Sequence, residues 1–275
     1  MIGKRAANCL VAMLSCLSLA SAAAAPASPA IDPKAAIAAG ERAVGRTIGD
    51  YRLADTAGAA LSLRDYRGKP LVISLVYSAC SSVCPPTTQH LIDAVHEAGR
   101  VFGSDRFAVL TVGFDARNDT VARMAQFASR QGIKFANWRV ASGDAATIEA
   151  LLNDLGFSYR AVAGGFDHPA QTTILDPDGR IYRHVYGDDF PFPMFMEPMK
   201  DVIYGIRTPF SFDGIIDRIR FICTTYDPGS RRYRIDYGLV FGGVIAAFSL
   251  IAMGGLILRE WFRAGRRSRL QRVTR

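Results

Sequence analysis

Apolar and polar positions alternate between two periods along the central part of the chain. The run Leu71-Val72-Ile73-Ser74-Leu75-Val76-Tyr77 is continuously apolar over a strand's length and follows Gly68-Lys69-Pro70, which predicts a buried strand. Leu91, Ala94, Val95, Ala98 and Val101 recur at helical spacing over 85–102, with Pro85 and Pro86 suited to a first turn. Residues 107–113 read as the next buried strand, and Asn118-Asp119-Thr120 offers a cap for a helix ending near Gln131. A short strand is expected at 138–141 and a helix at 144–155, stopped by Gly156. Residues 171–175 and 180–186 flank Asp176-Pro177-Asp178-Gly179, the chemistry of a hairpin turn. Strands alternating with helices, and a late hairpin, predict an α/β domain built on a mixed sheet.

Two segments break this pattern. Residues 1–25 combine Lys4 and Arg5, an apolar stretch and the tract Ala20-Ser21-Ala22-Ala23-Ala24-Ala25, which read as a secretory signal cleaved after Ala22 or Ala24. Residues 238–258 are 21 consecutive residues without a charge, about 30 Å as a helix and long enough to span a bilayer. Tyr233, Tyr237 and Trp261 flank that run as interfacial anchors would. Between them, 26–45 is Ala/Pro-rich and reads as a tether or weak helix, 46–227 as the folded domain, and 228–237 as a juxtamembrane linker.

Composition changes one point. The chain has 275 residues and a formal charge of +8, at first sight a nucleic-acid signal. Lys4 and Arg5 supply +2, and the seven arginines after Leu258 less Glu260 supply +6, so residues 6–258 are formally neutral. The basicity belongs to targeting and topology, and nucleic acid is excluded as a partner. The positive-inside rule puts the tail 259–275 in the cytoplasm and the domain in the periplasm, on a single-pass inner-membrane anchor.

That compartment is oxidising. Cys9 and Cys16 leave with the signal, so the mature chain keeps Cys80, Cys84 and Cys223. Cys80 and Cys84 form C-x-x-x-C between a buried strand and a helix N-terminus, where backbone N–H groups stabilise thiolate and lower a thiol pKa. Two such thiols can serve as a redox pair, as ligands for a soft metal, or as a structural disulfide. A peroxidase is disfavoured because no Thr-x-x-Cys loop precedes Cys80. Cys223 has no partner in the mature chain and reads as a buried small residue. Of four histidines, His90, His96 and His184 are placed as surface or packed residues; His168 lies in Gly164-Gly165-Phe166-Asp167-His168-Pro169, a loop-like stretch that can fold back beside the first strand-to-helix turn. Met194, Met196 and Met199 occupy a segment read as a flexible apolar loop or membrane-facing patch, with a transient soft-metal relay through the thioethers as the sharper alternative. Asp115 ends a strand near the cysteines, and Asp119 reads as a helix cap.

Several runs together carry a resemblance. Ser62-Leu63-Arg64-Asp65-Tyr66-Arg67-Gly68-Lys69-Pro70, Cys80-x-x-x-Cys84-Pro85, Thr111-Val112-Gly113-Phe114-Asp115-x-Arg117-x-Asp119-Thr120, and Asp167-His168 ahead of Leu175-Asp176-Pro177-Asp178-Gly179 resemble the Sco/SenC family over about residues 46–225. The resemblance implies a thioredoxin-like fold, copper ligation by Cys80, Cys84 and His168, and a role in assembling the binuclear copper centre of cytochrome c oxidase, whose copper-bearing subunit is then the partner. Two thiolates and an imidazole suit Cu(I) and also bind Cu(II). The same sulfurs can close to a disulfide, so the competing function is a thiol–disulfide oxidoreductase that uses Cys80 and Cys84 as its catalytic pair and reduces the cysteines of an oxidase subunit. Two departures stand out. The family's motif has Pro and an acid between the cysteines, where this chain has Ser81, Ser82 and Val83, and the family's usual anchor is N-terminal.

Overall fold

The computed structural model describes residues 31–80, 83–205, 224–227, 232–235 and parts of 241–259. The expected signal at 1–25 and Cys223 lie outside the described residues.

Strands β1 (Arg52–Asp55), β2 (Ala60–Ser62), β3 (Leu71–Val76), β4 (Ala108–Gly113), β5 (Trp138–Ser142), β8 (Gln171–Leu175) and β9 (Ile181–Tyr186) form one sheet in the order β2-β1-β5-β4-β3-β8-β9. β3, β4 and β5 are parallel, in register Leu71↔Ala108 and Val109↔Trp138, and the outer strands are antiparallel. Parallel neighbours need crossovers. Helices α2 (Cys84–Phe102) and α3 (Val121–Gln131) provide them, as the apolar periods require. Every residue of β3 and β4 is buried, so helices must cover both faces of the sheet. Leu91, Ala94, Val95 and Ala98 of α2 are all in the core. Helix α4 (Ala145–Asp154) starts at the Asp144 cap, which accepts from Thr147 N–H, and stops at Gly156, whose φ is +62°. The mixed α/β sheet with flanking helices is thioredoxin-like, as expected.

In three segments the structure goes beyond the expectation. Residues 33–41 take the helical of the two readings, tether or weak helix: Pro33–Glu41 is a helix, α1, docked on β9. Asp32 caps it and Pro33 occupies its first turn, a start signature that the Ala-rich composition obscures. Ala36, Gly40 and the following Ala43 form its buried stripe, and small side chains there let the backbone approach closely. A Cβ on Gly40 would collide with the Tyr186 hydroxyl, and one on Gly156 would lie 3.0 Å from Gly40 Cα.

The segment 190–204 is not a flexible loop. Phe192–Tyr204 is helix α5, with Met196 and Met199 fully buried and Met194 exposed. The two buried thioethers fill core volume, which removes the relay reading. Third, β10 (Thr224–Asp227) pairs with β11 (Arg232–Ile235) in the register Thr224↔Ile235, so the boundary placed between domain and linker at 227 falls inside a two-stranded ladder.

Among the described residues no helix is long and apolar enough to cross a membrane. Only part of 238–258 is described. Residues 248–256 are helical there, and Phe248, Leu250 and Ile251 are about three-quarters exposed.

The Gly40 contact is testable. Valine is close to glycine in helix propensity, so Gly40→Val isolates the steric conflict with Tyr186 and Gln171. It is expected to destabilise the domain by about 1–3 kcal/mol, measured as a lower denaturation midpoint with an unchanged slope.

Candidate metal and thiol site

The site begins where β3 leaves the core. Tyr77 is the first residue beyond the strand and is still buried. Its carbonyl accepts from the Cys80 N–H at 3.0 Å, and its own N–H faces Cys84 Sγ. The chain then turns into α2 with Val83 at the cap position, where the side chain makes no capping bond. The Cys84 N–H donates instead to Cys80 Sγ at 3.3 Å. The four-residue spacing of the cysteines thus makes the first sulfur the cap of the helix that the second begins. Pro85 and Pro86 have no N–H, so two of the donors that a helix start normally presents are missing.

That changes the thiol chemistry from the expectation. Cys84 is only 4% exposed, and burial pushes its thiol up to about 12, against the Tyr77 N–H that favours thiolate. The neighbouring Cys80 and Asp119 push in the same direction as burial. A helix N-terminus lowers a thiol pKa only when the sulfur keeps donors or water around it; here prolines and core surround it. Cys80 is half-buried.

Asp119 is not the helix cap. Thr120 caps α3, its hydroxyl accepting from Arg123 N–H at 3.3 Å. Asp119 is buried and accepts from the N–H of Ser78 at 2.7 Å and of Asp115 at 2.9 Å, tying the turn after β3 to the turn after β4. Burial holds its carboxyl above the usual range. Asp115 accepts from the Asn118 amide at 2.7 Å within the second turn.

His168 arrives on a small hairpin, β6 (Arg160–Val162) and β7 (Gly165–Asp167), turned at Gly164 with φ +86°. Its ring lies edge-on to Tyr77 at 6.0 Å and to Phe114 at 5.2 Å, and tilted to Phe157 at 5.4 Å. Nδ1 faces the Pro169 carbonyl at 3.0 Å. A carbonyl only accepts, so Nδ1 carries the proton and Nε2 keeps its lone pair. Burial lowers the imidazole pKa, which favours that neutral form. The hairpin is pinned by the N-terminal segment, where Ile31 N–H donates to Asp167 at 2.9 Å.

The structure therefore brings Cys80 and Cys84 together directly, and brings His168 to the same aromatic side chain, Tyr77. Among the described residues no three Cys, His, Asp or Glu side chains stand within reach of a single metal ion. The other histidines do structural work or none. His90 is buried against the Phe190 carbonyl at 2.7 Å, His184 is buried beside Thr173 at 2.9 Å, and His96 is exposed.

A model of the SCO1/SenC family matches residues 39–198, which include both cysteines and His168. This chain belongs to the SCO1/SenC family. It is 23% identical over 160 residues to the SCO1 protein homolog of Bacillus subtilis (strain 168), covering 55% of this chain and 76% of that one. Among solved structures, a protein of Aquifex aeolicus VF5 is similar at 25% identity and a TM-score of 0.56, covering 60% of this chain and 96% of its own. BsSco, described as a member of the Sco family of cytochrome c oxidase assembly proteins with a disulfide switch, is similar in fold at 19% identity and a TM-score of 0.51, over 58% of this chain and 94% of its own.

Within this SCO1/SenC domain, the sequence alone does not single out Tyr77, which holds Cys80 through its carbonyl and lies edge-on to the His168 ring. The signal was available: an aromatic residue ends the buried strand three positions before Cys80. Asp119 reads as a cap from the sequence alone because a cap and a cross-link between loops use the same residue type.

The burial of Cys84 has a direct readout. With its pKa near 12, only about one Cys84 in ten thousand is thiolate at pH 8. Alkylation of the reduced protein should modify Cys80 first, and the Cys84 rate should keep rising from pH 8 to 11 without a plateau. A Cys84 rate that levels off below pH 9 would contradict the burial.

Proposed function

We propose that this chain is a membrane-anchored, periplasm-facing copper-binding protein that delivers copper to, or prepares, the binuclear copper site of cytochrome c oxidase. The observation that carries the reading is the donor set at Tyr77: two thiols joined through one helix start, and a neutral imidazole whose Nε2 lone pair is left over by the Nδ1–Pro169 contact. Membership of SCO1/SenC supports it, and the description of BsSco points to oxidase assembly.

The residues fit copper as cargo. Soft sulfur with imidazole suits Cu(I) and accommodates Cu(II), whereas a structural Zn(II) site would seek a fourth protein ligand. Cys80, Cys84 and His168 would hold the ion once the His168 hairpin moves in on the thiols, since among the described residues no three donors stand within reach of one ion. The metal must displace the Cys84 proton, so loading is coupled to proton release and favoured by rising pH. The half-buried Cys80 is the sulfur from which loading and release can start, and Cys84 follows from the core side.

The second reading is thiol–disulfide exchange, favoured by one observation: the Cys84 N–H already points at Cys80 Sγ at 3.3 Å, which holds the two cysteines close. In that reaction the Cys80 thiolate attacks a client disulfide and releases one client thiolate. Cys84 then loses its proton, attacks Cys80 and releases the second, so two electrons pass to the client and Cys80–Cys84 becomes the disulfide.

The anchor is part of the proposal. It is supported by the 21 uncharged residues 238–258, by the helical and lipid-sized apolar exposure at 248–256, and by the arginine tail. In this arrangement 1–25 is a cleaved signal and 259–275 is cytoplasmic. A periplasm-active reporter fused after Arg234 should be active and the same reporter after Arg275 silent; activity at Arg275 would sink the single C-terminal anchor.

His168→Ala separates the two functions. It removes the nitrogen and leaves both thiols. Cu(II) affinity should fall by more than the roughly 10–100-fold typical of losing an outer partner of a ligand, with loss of the sulfur-to-Cu(II) charge-transfer band, and oxidase assembly should fail. Closure of the Cys80–Cys84 disulfide should persist. Full oxidase activity with His168→Ala, at ordinary copper supply, would give the function to the oxidoreductase reading.

A further inference from the structure

Phe114 stands to β4 as Tyr77 stands to β3. Each is the first residue beyond its strand, and the two strands run side by side in register Val76↔Gly113. The Phe114 N–H donates to the Val76 carbonyl at 2.8 Å, and the next N–H, of Asp115, donates to the Asp119 carboxylate at 2.9 Å. Backbone bonds at and after this residue therefore tie its ring to the sheet, where it is 3% exposed. Five other rings meet it. Tyr77, Phe166 and His168 are edge-on to it at 5.5, 5.3 and 5.2 Å, and Phe157 and Tyr159 are tilted to it at 5.4 and 5.6 Å. These rings come from the thiol turn, from the segment after α4 and from the histidine hairpin, and Phe114 is where all three meet. The hairpin needs such a support. β6 and β7 pair with each other in a sheet apart from the seven-stranded one, so the main ladder does not fix where they stand. Their residues are half-buried or exposed, and a hairpin of this size holds little structure by itself.

We propose that Phe114 is a positioning residue for the histidine donor: its ring, fixed at the end of β4, seats the His168 imidazole and Phe166 beside the thiol turn. The seat is a property of the metal-free protein; its consequence for copper rests on the function proposed above. An aliphatic side chain fills much of the same volume but makes no edge-on ring pairing, so the position calls for an aromatic residue and not merely an apolar one. Copper loading has to bring the hairpin in on the thiols. A donor already ordered beside the thiol turn loses less freedom in that step than one on a loose hairpin.

The test compares the full chain, reduced and metal-free, with its Phe114→Leu, Phe166→Leu and Phe107→Leu variants. Phe107→Leu controls for plain core damage, because Phe107 is 1% exposed and precedes the same strand at its other end. Phe166→Leu cuts the seat from the half-buried hairpin side, and decides the matter even where Phe114→Leu fails to fold. Amide hydrogen exchange across residues 160–167 should accelerate about three- to tenfold in Phe114→Leu and Phe166→Leu, the size of one lost aromatic pairing. The His168 ring protons should move toward the shifts of an unpacked histidine. Phe107→Leu should leave both as in the parent. On addition of Cu(II) alone, Phe114→Leu and Phe166→Leu should keep the parent's stoichiometry, bind about tenfold more weakly, and show weaker imidazole nitrogen hyperfine coupling. Hairpin exchange and His168 shifts that match the parent, or that change equally in Phe107→Leu, would overturn the seat. A looser hairpin with unaltered Cu(II) affinity and coupling would overturn its role in placing the donor. If the parent itself binds no Cu(II), the copper reading fails, and the exchange and ring shifts decide the seat by themselves.

Discussion

A strand buried on both faces must leave the sheet without stranding its backbone, and this chain depends on how β3 does so at Tyr77. Buried N–H and C=O groups without partners cost about as much as the whole margin of stability when a few accumulate. At this exit the partners are the cysteines. The Tyr77 carbonyl is taken by the Cys80 N–H and the Cys84 N–H by Cys80 Sγ, while the Tyr77 N–H faces Cys84 Sγ. The sulfurs that carry the chemistry are thus also the groups that close the turn. An ion or a disulfide that engages them alters the hydrogen bonding of the strand end itself.

A second tie supports the first. The Asp119 carboxylate accepts one N–H from the turn after β3 and another from the turn after β4. These turns belong to adjacent parallel strands, so their separation is set by the ladder and not by the loops. Gly113 leaves room for the carboxylate; a Cβ there would lie 2.6 Å from that of Asp119. The result is a rigid floor beneath the thiols, with the acid close enough to Cys84 to disfavour thiolate further. The histidine side is held differently, through ring contacts, the Pro169 carbonyl and the N-terminal segment. Of the donors, the thiols stand on the sheet and the imidazole follows a small hairpin of two three-residue strands at its margin.

Helix α1 belongs to this second support. Composition made it look like spacer, yet its stripe of Ala36, Gly40 and Ala43 buries little apolar surface per residue and gains stability through close backbone approach to Gly156 and Tyr186. The residues just before it reach Asp167 beside His168. Changes in the N-terminal segment therefore bear on the site through the hairpin, without touching a donor.

The order of strands and helices, the β8–β9 turn, the C-x-x-x-C at a strand-to-helix junction and the family motifs were all legible in the sequence, because each is a local matter of period, turn chemistry or spacing. The candidate donors Cys80, Cys84 and His168 were legible as residue types. What lay beyond local reading was every property set by neighbours distant in the chain. The burial that raises Cys84 comes from the core packed behind α2, and it outweighs the helix-start effect that spacing alone suggests. Asp119 looked like a cap because its true partner, Ser78, is 41 residues away. Met196 and Met199 looked like a loop because prolines crowd their segment, until the sheet offered α5 a face to bury them against. Tyr77 was one more apolar letter in a strand; only the return of the hairpin more than eighty residues later places Phe166 and His168 beside its hydroxyl and ring. Local pattern determined which elements form and which atoms could do chemistry. Tertiary packing decided their protonation, their partners and the contact of the histidine hairpin with the thiol turn, because desolvation and hydrogen bonding are fixed by whatever lies within a few ångströms, regardless of its place in the chain.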